Sequence, residues 1–387
     1  LNLTTSWSYN AVGDWTQRTD ARSNVTERDV NVYHETTKIT GPSPQDYEVE
    51  YVYDPNGRIL EKNVENVDEN HNRISGFEWI QTSYGYDQLG NVLSVVEDIT
   101  SSTFRTTGFT YDLLGNLTLI TKPEGNKIQR VWDERGLLYS ETKGYQSTDA
   151  TTSYFTYDGN RNRTVFKNGR GNEWDLTYDD FDRRTKLEDT LGHYRTWTYD
   201  KRSGVTYLKA YKSDDTLMAQ RRIYYDELAR AWKTEDLWDG PGLTEDTVTT
   251  EFWHDKCGNV TQVQDDNAKN LYRYFDGANR LYEVKDHLNN RRILTFDGNG
   301  NVTGIQEVEV TSSGTEAFNT YQYFDKYNRM YERRVVDRTN ANNYHTSKWW
   351  FGSLNQVLTF QDAEGNETDF TYDALRRLTG KSVDLGS

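Results

Sequence analysis

One pattern recurs along this chain and leaves little freedom in what it can fold into. In the stretch Phe109–Thr142 (FTYDLLGNLTLITKPEGNKIQRVWDERGLLYSET) an aromatic is followed by Asp, then two residues, then Gly-Asn-Leu. The same opening returns 21 residues later at Trp132-Asp133. The leading aromatic can be followed through Tyr9, Tyr33, Tyr53, Tyr86, Tyr111, Trp132, Tyr157, Tyr178, Tyr199, Tyr225, His254, Phe275, Phe296, Phe324, Phe351 and Tyr372, with one His among 16 positions. Asp follows in 13 of them; Asn10, His34 and Gly352 are the exceptions. A fixed period with variable insertions is the mark of a repeat architecture whose insertions fall in loops, here Val64–Ser75 and Asp236–Thr250.

The residues at each repeat explain its geometry. Three positions after the Asp slot stands Gly13, Gly57, Gly90, Gly115, Gly136, Gly258 or Gly300, and elsewhere Asn279, Asn328, Asn355 or Asp182. These residue types tolerate a left-handed backbone. Asp54, Asp87, Asp112, Asp133 and Asp297 then open a type I turn closed by a left-handed residue, a hairpin connection with a bulge. The carboxylate accepts the backbone N–H two residues on. Thr37, Arg161, Ser203, Ala229 and Arg376 break the rule, which predicts different turns there. The Tyr33 repeat is degenerate throughout.

The flanks read as strands. Phe109-Thr110-Tyr111, Trp197-Thr198-Tyr199 and Phe370-Thr371-Tyr372 alternate large apolar, Thr and aromatic, a period of two with β-branched and aromatic content. A second turn signal, such as Pro123-Glu124-Gly125-Asn126, closes many repeats. Two strands and two turns in 21 residues leave no room for a helix. An isolated hairpin is marginal in water, so the repeats must pair edge to edge in one array over residues 1–387. The aromatics Tyr53, Tyr86, Tyr111, Trp132, Tyr178, Tyr199, Phe296 and Tyr372 are the expected wall.

Composition sharpens that expectation. Only 34% of the chain is hydrophobic, against 14% aromatic, with a formal charge of −16. The apolar content is low for a globular protein, which implies a thin sheet rather than a thick core. Five Pro in 387 residues suits long strand ladders. A single Cys excludes a disulfide scaffold within the chain, and the acidic pI of 4.9 argues against nucleic acid. No apolar run is long enough to span a bilayer as a helix.

Sixteen such openings in phase, among them YVYDPNGRILEK, YGYDQLGNVLSV, FTYDLLGNLTLI, LTFDGNGNVTGI and FTYDALRRLTGK, resemble the YD-repeat (Rhs-repeat) proteins over essentially the whole chain. The resemblance implies about 16 hairpins in a spiralling, solenoid-like sheet or part of a hollow β-shell. In toxin-complex and polymorphic-toxin members the shell surrounds a C-terminal toxic domain; in teneurin-like members the sheet is part of a cell-surface ectodomain. By that resemblance the chain is a segment of a larger secreted or surface-delivered protein. Its partners are then flanking repeats and a C-terminal cargo. Family members that cleave themselves do so at an Asp-Pro near the end of the array. The Asp-Pro here, Asp54-Pro55, fills an ordinary turn slot in the third repeat.

No residue pattern calls for catalysis, a cofactor or a metal. In Trp253-His254-Asp255-Lys256-Cys257-Gly258 the repeat already accounts for His, Asp and Cys, although a Cys–His pair is a possible nucleophile in general. Asp297-Gly298-Asn299-Gly300-Asn301 is the best local match to a calcium loop, but it supplies too few closely spaced oxygens. Asp179-Asp180-Phe181-Asp182 reads as a turn with extra solvated charge. The aromatic clusters Trp349-Trp350-Phe351 and Ile223-Tyr224-Tyr225 read first as wall packing and second as surfaces on which a sugar ring stacks. The expected role is a non-enzymatic scaffold around a cargo. Its rivals are an extracellular adhesion or carbohydrate-binding array, and a fibre joined through unpaired edge strands.

Overall fold

A computed structural model describes residues 4–68, 70–238, 247–337, 340, 342–373 and 375–384. The middle of the Asp236–Thr250 insertion lies outside them. The described residues form 32 antiparallel strands of one sheet and no helix. Strands pair with their neighbours in sequence, as hairpin follows hairpin.

The repeat opening makes the same loop each time. In the hairpin of Glu48–Tyr53 and Ile59–Glu65, Val52 faces Glu61 but Tyr53 faces Ile59, so one extra residue is taken up beside the aromatic. Asp54 N donates to Arg58 O at 2.9 Å and Gly57 N donates to Asp54 O at 3.0 Å. Gly57 has φ 78°, Gly90 92°, Gly115 81°, Gly136 72° and Gly300 89°. This is the bulged hairpin loop expected from the sequence.

Two expectations about these turns fail. Arg161, Ser203, Ala229 and Arg376 do not make different turns: their φ values are 73°, 68°, 62° and 63°. The loop's two backbone hydrogen bonds dictate the conformation, and a residue with a Cβ tolerates it at modest strain. The second repeat is out of register with the sequence reading. Its left-handed residue is His34 (φ 68°), not Thr37, and its turn opens at Asn31. Val30 therefore takes the aromatic slot, pairing with Thr36. Tyr33 lies inside the turn, 77% exposed.

The return turns use the same loop. Asp20 N bonds Asn24 O and Ser23 N bonds Asp20 O; Lys122 and Asn126 bracket Gly125 in the same way. Burial is shallow throughout. The buried apolar side chains among the described residues are Tyr47, Val67, Ile80, Leu176, Val308 and Leu354. Most other strand residues are half-buried, packed against their cross-strand neighbours.

The chain divides into two compact units. One is Phe109–Arg291, a run of hairpins whose rings stack from strand to strand: Phe155 on Phe166 at 5.4 Å and Phe166 on Trp174 at 5.2 Å. The other joins Leu1–Gly108 with Arg292–Ser387. Here residues 300 apart in sequence meet. Arg22 Nη2 donates to Phe324 O at 2.7 Å and its Nη1 to Asp325 O at 2.9 Å. Tyr47 N donates to the Tyr327 hydroxyl at 3.1 Å, and Ser353 Oγ to Glu65 O at 2.6 Å. The insertion Val64–Ser75 is thus no free loop. Glu65 and Val67 are buried, and Arg73 Nε reaches Glu65 Oε1 at 2.6 Å.

Candidate functional site

The recurring carboxylates and aromatics form two ladders along the turns. In the Asp112 turn, Oδ1 accepts Leu114 N at 2.9 Å and Asn116 N at 2.8 Å, and Oδ2 accepts Asn116 Nδ2 at 3.0 Å. Asp87 makes the same three bonds with Leu89 and Asn91. In the Asp54 turn the partner four residues on is Arg58, whose Nε lies 2.6 Å from Oδ2. Asp133 accepts the backbone N–H groups of Arg135 and Leu137. The sequence reading found the bond two residues on and missed the clamp four residues on. The signal was present in the Asn or Arg that so often follows the left-handed residue.

These bonds favour the charged carboxylate. The Asn116 amide and backbone N–H hold Asp112 below the ordinary 3.8. The Asn91 amide does so for Asp87, the Arg58 N–H for Asp54 and the Leu137 N–H for Asp133. Asp297 accepts Asn299 N and Asn301 N, and its Oδ2 takes Asn301 Nδ2 at 2.8 Å and Arg22 Nε at 3.3 Å. Its carboxylate is engaged by its own turn and by Arg22. No group of three metal-ligating side chains occurs among the described residues.

The residue four after the Asp also reaches forward. Arg58 Nη1 donates to Asp87 O at 3.1 Å and its guanidinium lies 4.8 Å from the Tyr86 ring centre. Arg183 does the same to Asp200 O and the Tyr199 ring, at 3.1 and 4.6 Å. The aromatic in turn reaches back. Tyr53 donates its hydroxyl to Thr36 O, Tyr86 to Ile59 O, Tyr178 to Arg163 O and Tyr199 to Arg184 O, at 2.7–3.0 Å. Trp132 Nε1 plays that part towards Leu117 O. Tyr111, Phe296 and Tyr372 occupy the same slot and are half-buried. These Tyr and Trp side chains thus tie their turns to the repeat before, and Arg58 and Arg183 tie theirs to the repeat after.

Other singled-out residues fall into this scheme. Cys257 is exposed and its N–H donates to Asp255 Oδ1 at 2.8 Å, while His254 pairs across the strand with Val260. Asp182 does more than carry solvated charge: its Oδ1 accepts Asn160 Nδ2 and Asn162 Nδ2 from the preceding turn. Gly352 is the break in the ladder. No carboxylate stands there to accept a side-chain amide N–H from position 356, and Gln356 Oε1 is buried without a donor.

One cleft among the described residues lies within the unit that joins Leu1–Gly108 with Arg292–Ser387. Its volume is about 550 Å³. Its lining includes Arg22, Gln45, His71, Lys348, Trp349 and Trp350. Arg329 braces it, with Nε 2.6 Å from Asp325 Oδ2 and its guanidinium within 5.0–5.5 Å of the Phe351, Tyr327 and Tyr47 rings. Burial pushes the Tyr47 and Tyr327 hydroxyls up, so both stay protonated. Tyr224 and Tyr225 are not part of the cleft; they donate to Glu235 Oε2 and Val205 O.

The geometry has counterparts among solved structures. A crystal structure of TcdB2-TccC3 without its hypervariable C-terminal region superposes with a TM-score of 0.64 at 14% identity, over 95% of this chain and 22% of that chain. The chain has the fold of part of TcdB2-TccC3. A second crystal structure, TcdB2-TccC3-TEV, matches 99% of this chain and 24% of its own, at a TM-score of 0.53 and 12% identity. The Tc holotoxin pore of Photorhabdus luminescens, with a mutated TccC3, matches 96% and 22%, at 0.50 and 11%. The chain therefore spans about a quarter or less of these proteins' length, and at these identities the likeness is one of fold. No family model matches the chain, and no curated protein matches it. No helix among the described residues is long and apolar enough to cross a membrane.

Proposed function

We propose that this chain is a non-enzymatic wall segment of a larger secreted YD/Rhs-repeat protein, one that encloses or presents a C-terminal toxin or effector. The observation that carries the reading is the fold match over 95% of the chain to TcdB2-TccC3. That protein is described as having a hypervariable C-terminal region, which is where a variable cargo would sit. The ladders agree with a structural role. The recurring Asp, Tyr and Arg residues are engaged in turns and neighbouring repeats, which suits a brick better than a reactive group. Cargo and flanking repeats are then the partners, and the extracellular space the destination.

The test is protease protection. The parent protein is treated with a nonspecific protease, with and without prior mild unfolding of the repeats, and the C-terminal segment is followed by mass spectrometry. The reading predicts that the segment survives while the repeats are folded and is digested once they are not. Equal digestion in both conditions would sink it.

A further inference from the structure

The cleft near Trp350 carries chemistry that the wall does not need. The chain has a net charge of −16, yet Arg22, Lys326, Arg329 and Lys348 line this cleft against only Asp325 and Glu332. Arg22 and Arg329 are committed to Asp297 and Asp325, and Arg334 holds Glu332. Lys326 and Lys348 have no ion pair among the described residues. The lining thus carries two lysines beyond its paired arginines, Lys326 at an exposed position and Lys348 across the strand pair from Glu332, and this excess of positive charge favours a bound anion. Gln45 adds an unmet need, since its Oε1 is buried with no donor. A buried acceptor left unpaired is costly, so a ligand bringing a hydroxyl or N–H into the cleft satisfies it. Trp349 and Trp350 also line the cleft, Trp349 with its ring 5.3 Å from that of Phe360.

These three features select one ligand class. The ligand needs a carbon–hydrogen face for an indole, a hydroxyl for Gln45 and a carboxylate for lysine. We infer that the cleft binds a short acidic saccharide, of one or two uronate-type rings. The volume fits: small-molecule sites hold roughly 300–1,000 Å³, and about 550 Å³ is too little for a folded partner. An acidic peptide fits less well. Strand addition, one way to hold an extended peptide, needs a free strand edge, and the strand carrying Lys348, Trp349 and Trp350, Tyr344–Phe351, is already paired on both sides. The proposal does not rest on the cargo-enclosing role.

Calorimetry and tryptophan fluorescence on the full chain test it, with digalacturonate as probe, lactose as neutral control and triglutamate as acidic peptide. Digalacturonate should bind with a Kd below about 1 mM, and more weakly in about 1 M salt, where charges are screened within about 3 Å. Lys348→Gln and Trp350→Ala should each weaken it by about tenfold or more, the loss of one charge-assisted contact or one stacking face. Lys348→Gln should leave the melting temperature unchanged, which separates lost binding from lost folding. No heat or fluorescence change up to about 10 mM, equal binding of lactose, tighter binding of triglutamate, or unaltered affinity in Lys348→Gln would each overturn the proposal.

Discussion

At the scale of single residues the controlling object is a carboxylate with two oxygens. Asp112 Oδ1 closes its own turn through two backbone N–H groups, and Oδ2 holds the Asn116 amide. The folded pKa of such an Asp lies below its unfolded value of about 3.9. The stabilisation is therefore fully present above that value and is lost as pH falls through the depressed folded one. Asp20, Asp54, Asp87, Asp112, Asp133, Asp226, Asp276 and Asp373 all shift this way. The melting temperature should stay flat from about pH 8 to 5 and fall steeply only below about pH 4. Asp112→Ala should lower it at pH 7 and have less effect at pH 2.5. A steep fall already between pH 7 and 5 would contradict this origin. The Gly352 turn supplies the converse experiment. Gly352→Asp combined with Gln356→Asn installs the clamp found at Asp112 and removes the unpartnered Gln356 oxygen. Denaturant unfolding should show a gain of about 1 kcal/mol; a loss would mean the clamp is not transferable. The bond two residues on was legible because it is local turn chemistry. The partner four residues on was visible as a letter in the motif. Its role was not, because a side chain that holds its own turn and also reaches the next repeat has meaning only once both turns are in place.

At the scale of elements, hairpins were readable and their long-range company was not. Alternation and turn residues specify a hairpin within 21 residues, and the register follows from the bulge beside each aromatic. The second repeat was misread because Tyr33 resembles the slot residue. What fixes the turn there is Asn31, whose Nδ2 holds Glu35 Oε2 at 2.7 Å and so exchanges donor for acceptor in the usual pair. The insertion Val64–Ser75 was readable only as a loop. One of its partners, Ser353 Oγ, stands nearly 300 residues away, and no local pattern encodes such a contact. The seam can be opened by one atom. A Cβ on Gly298 would lie 2.6 Å from Ala21 O and 3.0 Å from Ala21 C, both backbone atoms. Gly277 holds the same turn position one repeat earlier and has nothing within 4 Å. Gly298→Ala should therefore cost about 1–3 kcal/mol and raise hydrogen exchange around Asp20–Asn24. Gly277→Ala should stay within about 0.5 kcal/mol of the parent. Equal behaviour of the two variants would show that the Arg22 turn does not rest on the Asp297 turn.

At the scale of the whole molecule, the repeat made the all-β array legible and the turn motifs could not supply its curvature, which follows from strand stagger. In the proposed function the hairpins act together as a wall. Cryo-electron microscopy of the parent protein, with everything that flanks this chain, measures that directly. It should reveal these hairpins as the wall of a lumen containing density for the C-terminal segment. A solid rod without a lumen, or a C-terminal segment resolved outside the wall, would contradict the account.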